Sequence, residues 1–213
     1  MLTKILIYMI TFLGGGIFLG LEIIASRVLA PYFGNSIYVW GSLISVFLLA
    51  LSIGYYFGGL LADRMPSFKI LALLILGASF FVLIIPVIQI PVSRIIVAWD
   101  LELRISSLIA CISFFMIPSV LNGMITPFVI KLNTAKLTTI GQTVGNIYAV
   151  STMGSVTGAL LVSFYLIPSI GTRAILILSG IVLIFTSFLS FLTDKILSHQ
   201  RKDYHQCTKG ELT

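Results

Sequence analysis

Six apolar segments, each long enough to cross a lipid bilayer, make up almost the whole sequence and restrict what it can fold into. A helix needs about 20 predominantly apolar residues to cross the hydrocarbon core of a bilayer. The segments that reach this length cover residues 4–30, 38–62, 70–92, 105–130, 141–166 and 170–193. We therefore predict an all-α, polytopic membrane bundle of six transmembrane helices.

The small charged fraction limits the function classes open to the chain. Charged residues make up 9% of the 213 residues, whereas soluble domains carry about 25%. We expect residues 1–193 to form one transmembrane domain and residues 194–213 a polar tail. This leaves no room for a soluble catalytic domain, so the sequence predicts no enzyme, no catalytic residues, no metal and no cofactor. The cations flank apolar segments, which argues against a nucleic-acid partner.

The end of the third segment is ambiguous. Pro86 and Pro91 interrupt the helical pattern there, and Gln89 and Arg94 make the region less apolar. The prediction therefore leaves open a seventh, short helix over residues 84–99.

The positions of the basic residues predict the orientation in the membrane. The basic residues of alternate polar regions fall on one side: Lys4, Arg64, Lys69, Lys131, Lys136, Lys195, Arg201, Lys202 and Lys209. Cytoplasmic loops carry an excess of Lys and Arg. We therefore expect a multi-pass protein of the cell (plasma) membrane with both termini in the cytoplasm.

Glu22 and Arg27 place an acid and a base inside the first apolar segment. A charged side chain at membrane depth is costly and usually faces a partner or a water-filled cavity. The two residues are five apart, about 140° around a helix, so they do not stack on one face. We predict that Glu22 is a site for a cation or a proton. The alternative is a structural ion pair with Arg27 or Arg104, and Arg27 is expected at the outer rim.

Neutral polar residues in the fourth and fifth segments are the candidate partners of Glu22 in a site for a substrate or an ion. They are Asn122, Thr126, Gln142, Asn146 and Tyr148. Gln142 and Asn146 lie four residues apart, so they share one face of a helix.

The fourth segment contains residues that interrupt a helix, among them Pro118, Gly123 and Pro127. Breaks at membrane depth face protein or a wet cavity, and in secondary transporters they mark binding sites. The alternative is that Pro127 only kinks a packed helix. In the fifth segment, the spacings Gly141/Gly145 and Gly154/Gly158 indicate close helix packing.

A motif follows the second segment directly and reads Gly59-Leu60-Leu61-Ala62-Asp63-Arg64. It resembles the cytoplasmic loop motif of the major facilitator superfamily, in which a glycine, an acid and a base join the second and third helices. The resemblance implies that Asp63 and Arg64 form a gating latch. The alternative is a solvated turn.

A longer set of motifs extends over almost the whole chain up to about residue 193. It comprises Leu21-Glu22, Ser26-Arg27, Pro31-Tyr32-Phe33-Gly34-Asn35-Ser36, Trp40-Gly41, Gly54 to Arg64, Pro118, Gly123, Pro127, Gly145-Asn146-Ile147-Tyr148-Ala149, Gly154, Gly158, Leu166-Ile167-Pro168 and Gly171. This set resembles the membrane domain of bacterial spermidine-synthase-like proteins, often labelled fused facilitator/spermidine synthase. We expect the soluble aminopropyltransferase-like domain of those proteins to be lacking. The resemblance then implies a bacterial inner-membrane protein equivalent to half of a facilitator.

Two functions are open at this point. The first is a secondary transporter of a small cationic or amine-type solute, with polyamines as the class that the resemblance implies. Half of a facilitator would complete itself as a homodimer, because facilitator halves are related by an axis along the membrane normal. The second is a non-transporting membrane subunit that docks a separately encoded aminopropyltransferase-like enzyme.

Overall fold

The fold, obtained as a computed structural model, covers residues 2–134 and 139–210, and its side chains are described for residues 3–134 and 139–197. Every element in these ranges is helical. In chain order they are α1 (Leu2–Phe33), α2 (Ile37–Arg64), α3 (Phe68–Ala98), α4 (Leu103–Gly123), α5 (Ile125–Asn133), α6 (Ile140–Leu160), a π-helical turn (Leu161–Leu166) and α7 (Ile167–Gly210). The prediction of an all-α membrane bundle is therefore confirmed.

The predicted number of six spanning helices is wrong. Within the described residues, five helices are long and apolar enough to cross a membrane: Thr3–Phe33, Ile37–Arg64, Phe68–Ala98, Leu103–Asn133 and Ile140–Leu197. The difference arises at the end of the chain. The segments predicted over 141–166 and 170–193 fall within one helical element of 58 residues, because the chain passes from one to the other through a bend at Gly171 with no intervening loop.

This long element bends at Gly171, whose φ of 67° and ψ of 163° are not helical and suit a residue without a Cβ. Before the bend, Ser155 Oγ donates a 3.0 Å hydrogen bond to the carbonyl of Gly15 on α1. After the bend, Ser187 Oγ donates to Ala72 on α3 at 2.7 Å. The order of the contacting residues along the paired helices shows that α6 runs parallel to α1 and that α7 runs antiparallel to α3. The two arms of the element therefore run in opposite directions.

No separate seventh helix forms over residues 84–99. Residues 84–98 continue α3, which contains both Pro86 and Pro91. Each proline withholds one backbone hydrogen bond from the helix. Ile85 and Ile96 on either side are 1% and 2% exposed, so packing holds α3 together across the prolines.

Glycines set the closest helix contacts. At Gly154 and Gly158, an added Cβ would collide with the α1 backbone at Phe12 and Gly16. The predicted close packing at this pair is therefore confirmed. At Gly141 and Gly145 an added Cβ would meet nothing within 4 Å, so no other helix among the described residues packs closely on this second pair.

The bundle has two ends, which we name by the chain segments they hold. The proximal end holds the start of α1, the turn at 65–67 and the end of α5. It also holds Asp194 of α7, which lies 3.7 Å from Lys69 at the start of α3. The distal end holds the connections at 34–36 and 99–102 and the bend at Gly171. α7 extends to Gly210, so the region predicted as a tail begins as a continuation of this helix.

Candidate functional site

A polar cavity of about 140 Å³ lies between α1, α2, the α4–α5 break and α6. Asn122 contributes an amide, and seven further residues contribute hydroxyls: Thr11, Tyr55, Thr126, Tyr148, Ser151, Thr152 and Ser155. Asn122 precedes the proximal end of α5 by eleven residues, about 16 Å of helix, which is near the middle of a bilayer. We call this space the central cavity. At about 30 Å³ per water molecule, it has room for four or five waters or one small solute.

The interruption of the helix between α4 and α5 lies between Asn122 and Thr126, which both line the cavity. α4 ends at Gly123 and α5 begins at Ile125, so the helix is interrupted at Met124, while Pro118 lies inside α4. Met124 keeps helical φ and ψ, and Leu103–Asn133 together form one membrane-long helix, as the alternative of a kinked helix predicts. Pro127 has no N–H, which removes the α-helical donor for the carbonyl of Gly123. Pro127 itself does not line the cavity. It packs against α2, where a Cβ at Gly58 would lie 2.9 Å from its Cγ.

Asn122 is the most informative residue of the central cavity. Its side chain is 5% exposed, and its Nδ2 donates a 3.1 Å hydrogen bond to the carbonyl of Gly14 on α1. Its Oδ1 has no hydrogen-bond partner among the described residues. A buried acceptor without a partner costs about 1–3 kcal/mol. The contents of the cavity are therefore the natural source of a donor.

Two hydroxyls of the cavity are also limited to accepting. Thr11 Oγ1 donates to the carbonyl of Ile7 at 2.9 Å, and Ser155 Oγ donates to the carbonyl of Gly15 at 3.0 Å. A hydroxyl has one proton to donate, so these two oxygens present only lone pairs to the cavity. Asn122 Oδ1 is a third acceptor, and the five other hydroxyls of the lining can both donate and accept, so a solute with N–H or O–H donors would find partners there.

The structure brings three of the predicted site residues together and leaves three outside the central cavity. Asn122, Thr126 and Tyr148 line it. Gln142 and Asn146 are exposed on α6 and do not line it. Glu22 is half-buried and does not line it either.

Glu22 nevertheless lies on the face of α1 that lines the cavity. Thr11, Gly15, Phe18 and Glu22 fall within an arc of about 60° on a helical projection, and the first three line the cavity. Glu22 is one turn beyond Phe18 towards the distal end. The Phe18 ring meets Phe47 edge-on at 5.5 Å, so an aromatic contact lies at the level between the cavity and the carboxylate.

Neither structural partner considered for Glu22 is engaged with it. Among the described residues, Glu22 forms no ion pair. The Arg27 side chain is exposed and lines a different cavity at the distal end. Arg104 lies over the ring of Tyr38, 4.9 Å from its centroid.

The ion pair at the proximal end differs from the predicted latch. Asp63 Oδ1 lies 2.6 Å from Nζ of Lys131 on α5. Arg64 is exposed next to Leu60, Leu61 and Met124. The pair joins the end of α2 to the segment that follows the α4–α5 break, and Lys131 was not among the predicted site residues.

Sequence reasoning also missed five hydroxyl residues of the central cavity: Thr11, Tyr55, Ser151, Thr152 and Ser155. The spacing of the residues on α6 could have indicated part of this lining. Tyr148, Ser151, Thr152 and Ser155 follow the spacing i, i+3, i+4, i+7, which is one face of a helix.

Comparison of the chain with family models, with curated proteins and with solved structures finds no match.

Proposed function

We propose that this protein is a secondary transporter of a small amine-type solute, polyamine-like in chemistry, that binds in the central cavity. The observation that carries the proposal is the unpaired, buried Oδ1 of Asn122, a residue that lines a cavity with seven hydroxyl side chains at membrane depth. Ammonium and amine groups are donors, and the fixed acceptors around Asn122 match them. A cavity of about 140 Å³ limits the part of the solute bound there to a few non-hydrogen atoms.

Glu22 is the proposed cation or proton site on the same path. It lies on the cavity face of α1 and forms no ion pair with the described residues. An intramembrane carboxylate is costly when it stays charged and unpaired. A cationic solute that moves past Phe18 would supply the missing counter-charge, and a proton would neutralise the carboxylate after the solute leaves.

The pair Asp63–Lys131 is the proposed latch, and Arg64 beside it is part of the same contact region. The pair connects α2 to α5, and α5 carries Thr126 into the central cavity. A change in the position of α5 would therefore change both the ion pair and the cavity.

The proposed assembly is a homodimer in which a second copy covers the exposed face of α6. Tyr55 and Tyr148 line the cavity and are still 38% and 45% exposed. Gln142 and Asn146 are exposed on α6, beside a glycine pair on which no other helix among the described residues packs closely. Polar groups that face hydrocarbon are unfavourable, and small residues allow helices to approach closely. The proximal end is proposed to face the cytoplasm, in the plasma membrane of a bacterium.

Uptake of radiolabelled putrescine into proteoliposomes tests the transport proposal. We expect uptake above that of protein-free liposomes, and competition by unlabelled spermidine but not by 1,4-butanediol, which has a similar length and no charge. The Glu22→Gln variant should lose most of this uptake. Glu102→Gln is the matched control, because Glu102 is an exposed acid in the distal connection. Equal uptake by wild type and Glu22→Gln would remove Glu22 from the mechanism, and no uptake at all would reject this solute class.

A second candidate function is a non-transporting subunit that docks an aminopropyltransferase-like enzyme. The exposed charges at the proximal end favour it, since Lys4 and Arg64 are exposed there and form no ion pair with the described residues. Co-expression with such an enzyme and affinity purification from detergent extracts tests this idea. Retention of the enzyme, with loss on Arg64→Glu, is the expected result for a docking subunit.

A further inference from the structure

A second polar cavity, of about 380 Å³, lies at the distal end of the bundle. Its polar and aromatic residues are Ser26, Arg27, Asn35, Trp40 and Ser163, and Ile23 and Ile167 complete the lining. We call it the distal cavity. It shares no lining residue with the central cavity, so it is a separate site.

Two irregular segments bring these residues together. The connection at 34–36 turns the chain sharply from α1 to α2, with Gly34 at a φ of 70°, and its Asn35 lines the cavity together with Arg27 and Trp40. On the other side, Ser163 lies in the π-helical turn Leu161–Leu166. Pro168 follows that turn and has no N–H for the carbonyl four residues earlier, which favours a widened turn. Such turns are frequent at functional sites.

The distal cavity is rich in donors. Arg27 offers five N–H groups, Asn35 two, and Trp40 and Ser163 one each. Arg27 forms no ion pair with the described residues, and no acidic side chain lines the cavity. An unpaired guanidinium surrounded by further donors fits a phosphate group, which accepts two parallel hydrogen bonds from its fork.

The depth of the cavity favours a phosphate that belongs to a lipid. Arg27 lies 24 residues beyond Thr3, about 36 Å along α1, and the hydrocarbon core is about 30 Å thick. Trp40 is 39% exposed at the same level, where indole rings commonly contact the head groups. We infer that the distal cavity binds a phosphate group, and that the phosphodiester of an anionic lipid head group is its source.

Thermal unfolding of the purified protein in detergent tests this inference. Added phosphatidylglycerol should raise the Tm of wild type, because a ligand that binds only the folded state stabilises it. Diacylglycerol, which has the same chains and no phosphate, should leave the Tm unchanged. Inorganic phosphate distinguishes the sources. A Tm increase with phosphate alone, abolished by Arg27→Gln, would assign the same site to a free ion.

Substitutions of two arginines, one that lines the distal cavity and one that does not, complete the test. Arg27→Gln should weaken phosphatidylglycerol binding by about tenfold, the loss expected for a charged double hydrogen bond, and Arg27→Lys should weaken it less. Arg173→Gln is the matched control, because Arg173 is exposed beyond the Gly171 bend and does not line the cavity. If Arg27→Gln does not fold, Ser163→Ala and Asn35→Ala take its place, each with a smaller loss. Wild-type lipid binding by all these variants, or an equal loss with Arg173→Gln, would overturn the inference.

Discussion

The side-chain amide of Asn122 donates a 3.1 Å hydrogen bond to the carbonyl of Gly14 and so connects the α4–α5 break to α1. This bond distinguishes Nδ2 from Oδ1 in the side-chain amide, because only the nitrogen can donate to a carbonyl. Oδ1 is therefore left as the acceptor end of the amide, and it has no partner among the described residues. One side chain thus supplies a helix contact and, in the proposed function, an acceptor for the solute.

The two glycine pairs of α6 should respond differently to alanine. Gly158→Ala should lower the Tm of the purified protein, because the added Cβ collides with the backbone of Gly16. The destabilisation expected for such overpacking is about 1–3 kcal/mol. Gly145→Ala is the control when both variants are compared as monomers in detergent, since its Cβ would meet nothing within 4 Å among the described residues of one chain. A Tm for Gly158→Ala as high as that of Gly145→Ala would contradict the α1–α6 packing.

The proposed homodimer predicts that two copies can be cross-linked through the exposed face of α6. With the native cysteines replaced, Asn146→Cys should form a disulfide-linked dimer in membranes on mild oxidation, because Asn146 is exposed beside Gly145. Ser113→Cys, on an exposed part of α4, should stay monomeric and serves as the control. Equal cross-linking at both positions would mean random collision, not a specific interface.

The Phe18 ring is expected to separate the central cavity from Glu22. In a background without native cysteines, Glu22→Cys should react slowly with a water-soluble thiol reagent. Adding Phe18→Ala should speed the reaction at least about tenfold, because the edge contact with Phe47 at 5.5 Å is then lost. Phe81→Ala on α3, which does not line the central cavity, should have no such effect. Unchanged reactivity with Phe18→Ala would mean that Phe18 does not separate the central cavity from Glu22.

The ion pair Asp63–Lys131 should contribute little to stability. Both side chains are largely exposed, 67% and 48%, and exposed pairs contribute roughly 0–1 kcal/mol. A double-mutant cycle with Asp63→Asn and Lys131→Gln should therefore give a coupling free energy of unfolding in this range, smaller at high salt. If the pair acts as a latch, the same variants should change the putrescine uptake rate by more than they change stability. Parallel changes in both would favour a solvated turn.

Much of the architecture follows from the sequence because apolar length and helix-breaking residues are local signals. The break at Gly123 and Met124 and the polar residues Asn122 and Thr126 next to it could be predicted in this way. The bend at Gly171 was less accessible, since a single glycine with a positive φ reverses the chain without a polar loop. The sequence also did not reveal which residues of different helices contact each other. The contacts of Asn122 with Gly14, and of Asp63 with Lys131, depend on packing between helices that no spacing in the sequence reveals.

The most direct test of the central claim compares two substitutions on α4 in the putrescine uptake assay. Asn122→Leu removes the acceptor in the cavity, whereas Ser119→Ala removes a buried hydroxyl that also lacks a partner among the described residues but lies outside the cavity. We predict at least about a tenfold loss of uptake for Asn122→Leu, as expected when a solute loses a charge-assisted hydrogen bond, and wild-type uptake for Ser119→Ala. Wild-type uptake by a folded Asn122→Leu variant would contradict the assignment of the central cavity as the solute site.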